Sequence, residues 1–314
     1  MNDQERYYRS RGGFNPIGLM IMFVAGTIAA AALAIVYALI CMYNPFIYFT
    51  FIGTFVFGFS VGWVVKSIGK ATKVRSRGFS AMVGLLCGGA AAYLAWMAFI
   101  FMFDYDMRAL TLSPLAVFRI ITALGEEGIW DFRGAKPTGA VLYGIWSLEA
   151  GIVLVVALLT ASSNDAPFCE NCDQWIEPQG EPVPLPNNGQ LDQLQRDLEA
   201  ENYRAFDDLA AGKLEPSDFL NAIIKTCPSC SDSNFLSVDR VVTTTKSSGE
   251  EDVNTATLLA NLSIPTTVIE QLRGIAERPA DEQADADESE SLEHEHEEPA
   301  EDEHDDSDDD SYDE

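Results

Sequence analysis

Histidine is almost absent from this chain, because all three copies, His294, His296 and His304, lie near its C-terminal end. Histidine is the commonest general base, and no Ser/His/Asp set, phosphate-binding loop or catalytic carboxylate pair stands out. Basic residues are also scarce, 20 against 48 acidic ones, which gives a formal net charge of −28. The composition therefore argues against an enzyme. It also argues against nucleic-acid binding, because a negative field repels phosphates.

The acidic excess belongs to one segment rather than to the whole chain. Residues 277–314 contain 21 acidic residues and one basic residue, Arg278, so they carry 20 of the 28 net negative charges. Dense like charge with few apolar residues cannot bury enough surface to fold. We predict a disordered acidic tail over residues 277–314, and we interpret its histidines as part of a solvated segment rather than a metal buffer.

Charged residues are almost absent from four long apolar runs. A bilayer core about 30 Å thick needs roughly 20 apolar residues for each spanning helix. The runs that meet this length are Ile17–Met42, Pro45–Val65, Phe79–Phe103 and Ala140–Ala161. We predict a four-span transmembrane bundle over residues 17–161, preceded by a short N-terminal segment, 1–16.

The distribution of Lys and Arg predicts the orientation of these spans, since cytoplasmic flanks carry the excess of positive charge. Eight basic residues flank one side of the bundle, three in the N-terminal segment and five between spans two and three. The third loop, on the other side, carries four basic residues mixed with acidic ones. We therefore expect a cell-membrane protein with both termini in the cytoplasm. The five residues expected to contact anionic lipid headgroups are Lys66, Lys70, Lys73, Arg75 and Arg77.

Small residues recur at helix-packing spacing within the spans: Gly26 with Ala30, Gly58 with Gly62, and Gly84 with Gly88. Such pairs let helix backbones approach closely, and we interpret them as packing within the bundle rather than as a dimer seam. In the third loop, Ser113 and Pro114 have the pattern of a helix start. That short helix is predicted to end at Gly125.

Glu149 is the one charged residue inside the predicted spans. A charge at this depth is costly, so such residues usually face the bundle interior or a cavity. One interpretation is a proton or cation site in a small transporter or channel subunit. The other is a protonated carboxyl that hydrogen-bonds to a hydroxyl such as that of Ser60, Thr54 or Tyr93.

Four of the six cysteines form two C-x-x-C motifs, Cys169 with Cys172 and Cys227 with Cys230. The other two, Cys41 and Cys87, lie inside spans. Two such knuckles can supply a tetrahedral four-thiolate zinc site. The 54 residues between Cys172 and Cys227 exceed the usual interval of about 15–20 residues. We predict a structural zinc ion in a soluble domain, 163–276.

The rest of this domain is predicted from periodicity. Apolar residues at helical spacing predict a helix from Leu191 to about Leu209, and a second over Pro216–Lys225 would complete a helical hairpin between the knuckles. Strands are predicted over Phe235–Thr245 and Val253–Ser263, followed by a closing helix over Pro265–Ala276. With so little apolar material, we expect the metal to supply much of the folding free energy.

A redox function is the alternative for the cysteines, since a C-x-x-C pair can cycle between dithiol and disulfide. The βαβ pattern of a thioredoxin-like fold is missing around both motifs, and cytoplasmic thiols stay reduced. A membrane thiol oxidoreductase is therefore ranked below structural zinc.

Several short segments occur along the chain in a fixed succession, namely Pro45-Phe46-Ile47-Tyr48, Gly58-Phe59-Ser60-Val61-Gly62, Lys73-Val74-Arg75, Gly139, Trp146, Glu149 and Pro167-Phe168-Cys169-Glu170-Asn171-Cys172. Together they resemble a group of uncharacterised bacterial multi-span membrane proteins. The resemblance covers roughly residues 14–265 and implies placement in a bacterial inner membrane, without implying an activity.

The sequence therefore predicts an α-helical membrane protein with four transmembrane helices, a small α+β zinc-ribbon-like domain and a disordered acidic tail. The expected function is a membrane-anchored, non-enzymatic module. It would present a zinc-stabilised cytoplasmic domain to a protein partner, with the lipid bilayer as its other partner.

Overall fold

The long apolar runs form long helices in the computed structural model, which describes residues 6–10, 12–43, 47–103, 113–128, 136–230, 232–246 and 249–277. The predicted disordered tail lies outside these residues apart from Glu277. The described chain divides into two units. The helical unit comprises residues from Arg9 to Glu177 together with Cys227–Cys230, and the sheet unit comprises the segment up to Tyr8, Pro178–Thr226 and the residues after Cys230.

Four helices of the helical unit are long and apolar enough to cross a membrane, which confirms the prediction of four such helices. They are α1 (Pro16–Tyr43), α2 (Ile47–Ala71), α3 (Arg77–Phe103) and α5 (Ala140–Ser162). The shortest has 23 residues, which at about 1.5 Å per residue spans about 34 Å.

Two of these helices extend further than their predicted spans. Helix α2 continues past Val65 to Ala71, and α3 begins at Arg77 rather than Phe79. The polar residues that ended the apolar runs include good helix formers such as lysine, so polarity ends the span without ending the helix. The connection between α2 and α3 is therefore only residues 72–76.

Small residues allow the helices to pack closely, as predicted. A Cβ on Gly26 would lie 2.8 Å from Cys87 Sγ, and a Cβ on Gly62 would lie 2.7 Å from the carbonyl oxygen of Ala157. Three further glycines face α5 in the same way, namely Gly58, Gly84 and Gly88. These contacts lie within one chain, so the glycines serve packing inside the bundle. Many large apolar side chains remain exposed on the outer helix faces, as a lipid solvent permits.

The short helix α4 (Pro114–Glu127) begins at the predicted residue, although Ser113 makes no side-chain capping bond. The prediction that Gly125 ends it is wrong. Gly125 lies inside the helix and contacts the ring of Tyr143, where a side chain would clash. The helix ends at Glu127 and is capped by Gly128, whose φ of 73° is readily accessible to glycine.

The sheet unit contains a four-stranded antiparallel sheet in the order β3-β4-β5-β6. The strands are β3 (Val183–Pro186), β4 (Asp218–Thr226), β5 (Asn234–Thr245) and β6 (Glu251–Ser263). Helices α6 (Leu191–Glu199) and α7 (Ala205–Ala210) follow β3, and α8 (Thr266–Ala276) follows β6. Strands β5 and β6 and the closing helix are thus confirmed.

The predicted helix over Pro216–Lys225 is wrong, because this segment forms most of β4. Burial alternates along it: Leu220, Ala222 and Ile224 are buried, and the residues between them are less so. The adjacent apolar residues in this segment resemble the spacing of a helix face, whereas in the structure the buried side chains recur at every second residue, as in a strand. The predicted helical hairpin between the knuckles is consequently replaced by two short helices and a central strand.

Two strand pairings were not predicted. Strand β3 contains Pro184 and Pro186, which weaken a strand signal but are tolerated at a sheet edge. At the other edge, Tyr7 forms a bridge with Leu262, and the N–H of Ser263 donates to the carbonyl oxygen of Arg6. The N-terminal segment thereby pairs with the end of β6.

Candidate metal centre

The first C-x-x-C motif lies on a two-stranded hairpin, β1 (Phe168–Cys169) and β2 (Gln174–Trp175). Phe168 pairs with Trp175 across it, and their rings meet edge to face with centroids 5.0 Å apart. The turn includes Asp173 with φ of 52°, a left-handed conformation that short polar side chains tolerate. The tight turn returns Cys172 to the neighbourhood of Cys169.

The second motif follows directly from the last residue of β4, Thr226. Cys227 is fully buried, and Cys230 is half-buried. Gln174, on β2 of the hairpin that carries the first motif, donates hydrogen bonds to Cys227 Sγ at 3.1 Å and to Ser229 Oγ at 2.8 Å. One side chain therefore ties the two motifs together.

The four sulfur atoms of these motifs converge within 4.8 Å of one another. Cys169 Sγ and Cys230 Sγ are 3.7 Å apart, and none of the four cysteines forms a disulfide. A tetrahedral zinc ion with Zn–S bonds of about 2.3 Å sets its sulfurs about 3.8 Å apart, whereas a disulfide requires about 2.05 Å. The cluster can therefore hold a metal ion, as the spacing of the motifs predicted.

The thiols of this cluster differ in acidity. Burial alone would raise the pKa of Cys227, but hydrogen bonds from the backbone N–H groups of Ser229 and Cys230, and from Gln174, bring it down to about 6. The pKa of Cys172 is raised to about 12, first by its hydrogen bond with Cys230 and then by burial. The protein's own donors thus favour a thiolate at Cys227.

Basic residues at the α2–α3 end of the bundle form ion pairs with the first motif and its flanks. Lys73 Nζ lies 2.6 Å from Asp173 and Lys70 Nζ lies 2.7 Å from Glu177, and Lys70 keeps the pKa of Glu177 below its usual value. Two arginines complete the set, in the pairs Arg75 with Glu170 and Arg77 with Asp165. We call these four pairs the basic cradle.

Two aromatic contacts add to the cradle. The Arg75 guanidinium lies over the ring of Phe168, 4.6 Å from its centroid. The indole N–H of Trp175 donates to the carbonyl oxygen of Lys70 at 2.7 Å. The cysteine hairpin is therefore held by directional contacts as well as by charge.

Four of the five cations predicted to contact lipid headgroups are thus paired with carboxylates. The fifth, Lys66, donates to Ser163 Oγ at 3.0 Å. The structure does not place these side chains against a membrane surface, so headgroup binding stays a prediction. Sequence reasoning missed the cradle because its partners lie 88–107 positions apart in the chain. It also missed Gln174, which nothing near the motif marked out.

Glu149 is not part of the cysteine cluster. It lies in α5 and lines a separate cavity within the bundle. Its Oε1 is buried and has no hydrogen-bond partner among the described residues. The hydroxyls of Ser60 and Thr54, predicted as partners, instead donate to backbone carbonyl oxygens within α2.

Comparison with protein-family models, with curated proteins and with solved structures found no match. The function is therefore inferred from the geometry of the cysteine cluster and of the cavity at Glu149.

Proposed function

We propose that this chain is a membrane-anchored, non-enzymatic module whose cysteine motifs hold a structural zinc ion at the cytoplasmic end of a four-helix bundle. In this proposal, both termini are cytoplasmic. The zinc-stabilised region presents the sheet unit to a protein partner. The lipid bilayer surrounds the four long helices.

One observation carries the proposal, namely the convergence of four sulfurs from two motifs 54 residues apart. A dithiol redox centre needs only one motif, with its disulfide formed inside that motif. Here the 3.7 Å sulfur pair joins Cys169 of one motif to Cys230 of the other. A centre that draws on both motifs favours metal binding over thiol exchange.

Zinc is the proposed metal because four thiolates in tetrahedral arrangement suit it and leave no open position for catalysis. The same donors can also hold iron, so the metal must be identified by measurement. Nothing in this arrangement requires an exogenous substrate, which supports a structural role.

The test uses the full chain purified in mild detergent without chelator. Elemental analysis should give one zinc per chain, and thiol titration should show four additional reactive thiols after chelation. The variant Cys227→Ser should lose most of the zinc, whereas the control Cys87→Ser, at a cysteine inside the bundle, should keep it.

Two results would contradict the proposal. The first is a folded, metal-free protein whose thiols react equally with and without chelator. The second is a disulfide within either C-x-x-C motif in protein extracted from cell membranes with its free thiols blocked at lysis, which would favour the membrane thiol oxidoreductase.

A further inference from the structure

A partly open cavity of about 80 Å³ lies between the four long helices of the helical unit and is lined by residues of each. Its lining comes from the second half of α1 and α3, the first half of α2, and the first half and centre of α5, so it sits towards the end of the bundle away from the basic cradle. One water occupies about 15 Å³ by a comparable measure. The cavity therefore has room for about five water-sized groups.

The space arises from the size of the side chains at its walls. Ala38, Ala92, Ala95 and Ala150 line the cavity, and their methyl groups leave room that leucine or phenylalanine would fill. Close-packed interiors contain few such voids. The sequence thus keeps an opening here, while the glycines of α2 and α3 that face α5 allow close packing elsewhere in the bundle.

One carboxylate oxygen in the wall of this space lacks a hydrogen-bond partner among the described residues. It is the buried Oε1 of Glu149. The hydroxyls of Tyr37 and Thr54 bond to each other at 2.7 Å instead. No lysine or arginine lines the cavity. A buried charge without a partner is costly, so the site is suited to a positively charged occupant.

Aromatic rings form much of the remaining wall. Trp96 and Trp146 meet edge to face with centroids 4.9 Å apart, and Tyr37 and Phe57 stack at 4.8 Å. The faces of such rings attract cations, most strongly for tryptophan. A carboxylate beside several aromatic rings is the chemistry that recognises an organic ammonium ion.

An inorganic cation fits these walls less well. Ca²⁺ takes six to eight oxygen ligands, and Mg²⁺ requires six. The side-chain oxygens of the lining come from Glu149, Thr50 and Tyr37, and that of Tyr37 is already engaged. The rings would provide no ligands for such ions, whereas they provide contact area for methyl or methylene groups.

We propose that this cavity binds a small organic ammonium ion, with Glu149 as its counter-ion and with Trp96 and Trp146 as its aromatic wall. The proposal goes beyond the metal centre and does not depend on it. It specifies the ligand class for a cation site at Glu149, and it applies whether the ion is carried across the bundle or held there.

The test titrates the purified full chain in detergent with tetramethylammonium chloride, using sodium chloride at equal ionic strength as the reference. Tryptophan fluorescence should change saturably with tetramethylammonium alone, because two of the five tryptophans line the cavity. The thermal midpoint should rise over the same concentration range, since a ligand that binds the native state stabilises it.

Matched variants locate the site. Glu149→Gln should abolish the saturable change, whereas Glu126→Gln, at an exposed position of α4, should leave it unaltered. Trp96→Leu should weaken binding about 3- to 30-fold, in line with the loss of one cation–π contact. Trp63→Leu, at a position 56% exposed on α2, should not weaken it.

Several outcomes would overturn the proposal. They are an equal response to sodium, no saturable response in the parent protein, or an unchanged response in a folded Glu149→Gln variant. If that variant does not fold, the comparison of Trp96→Leu with Trp63→Leu decides. Equal affinities in those two variants would place any binding outside the cavity.

Discussion

If the cysteine cluster holds the proposed zinc ion, its removal should release the two cysteine loops while the sheet unit stays folded. The sheet core consists of 20 buried residues, and none of them is a cysteine. The expectation that this region has little apolar material to bury is therefore wrong. The correction follows from the strand assignment, because β4 contributes Leu220, Ala222 and Ile224 to that core. Chelation should act on the loops that carry the thiolates and not on the sheet.

The free energy that the metal must supply follows from the other interactions that hold the two cysteine loops. Pro167–Glu177 and Cys227–Cys230 comprise 15 residues, and fixing their backbone costs about 20 kcal/mol. Burial of Phe168, Ile176 and part of Trp175 offsets about 6 kcal/mol of this cost. Three pairs of the basic cradle have their carboxylate in these loops, at Glu170, Asp173 and Glu177, and they add about 2 kcal/mol in total, because exposed ion pairs are weak. The deficit of about 12 kcal/mol matches the roughly 10–16 kcal/mol that structural zinc supplies.

Hydrogen exchange measured by mass spectrometry on the full chain, with and without chelator, tests this reasoning. Peptides covering residues 165–177 and 227–230 should lose protection when the metal is removed, whereas peptides from β5 should keep it. Adding zinc back should restore the protection. Loss of protection in β5 together with the loops would refute the argument, as would unchanged loops in protein proven free of metal.

Two further predictions concern the two units separately. Gly62→Val should destabilise the bundle by about 1–3 kcal/mol, because the added side chain would overpack against α5. Gly144→Val, where a side chain would lie in open space, should not destabilise it. Thermal unfolding in detergent measures the difference between the two variants. Asp218→Asn should lower the unfolding midpoint of the sheet at pH 7, because a hydrogen bond from Arg240 keeps the pKa of Asp218 below its usual value. This stabilisation is present above about pH 4 and is lost as the pH falls through the folded-state pKa, so parent and variant should converge in acid. Asp232→Asn, at an exposed position, is the control.

The helices and the cysteine cluster could be predicted because their signals are local. A run of 26 uncharged residues from Ile17 to Met42 has few alternatives to a spanning helix. A C-x-x-C spacing likewise brings two sulfurs together whatever lies between the motifs. These features follow from composition and spacing alone.

The sheet was harder to predict because its signals depend on partners distant in sequence. Strand β4 carries apolar residues on both faces, since Phe219 and Ile223 are half-buried beside Leu220 and Ile224. That pattern does not separate a central strand from a helix. Strand β3 was hidden by its two prolines. The pairing of Tyr7 with β6 joins residues about 255 positions apart, which no periodicity can reveal.

The basic cradle was missed for a related reason. Counting charges identified the cations between α2 and α3 as a group and assigned them to lipid. Their acidic partners, such as Asp173 and Glu177, stand singly around the first motif and form no recognisable pattern. Only the fold brings the two sets of charges together.

Contacts at the end of the bundle that carries the basic cradle also constrain the membrane topology, independently of the number of basic residues on each side. The N–H of Arg75 donates to the carbonyl oxygen of Gly13 at 3.1 Å, and its guanidinium pairs with Glu170. For a bundle that crosses a bilayer, each contact requires an even number of crossings between its two partners. Between Gly13 and Arg75 the chain passes through α1 and α2, which gives two crossings. Between Arg75 and Glu170 it passes through α3 and α5, which again gives two crossings provided that α4 does not cross. The 14 residues of α4 span only about 21 Å, which is too short to cross.

The N-terminal segment, the cradle and the cysteine cluster would then share one side of the membrane. Which side is decided by the lysines and arginines, and carboxylates contribute little to that rule. In a chain that inserts by this rule, the same cations would both orient the bundle and hold the cysteine hairpin through its carboxylates.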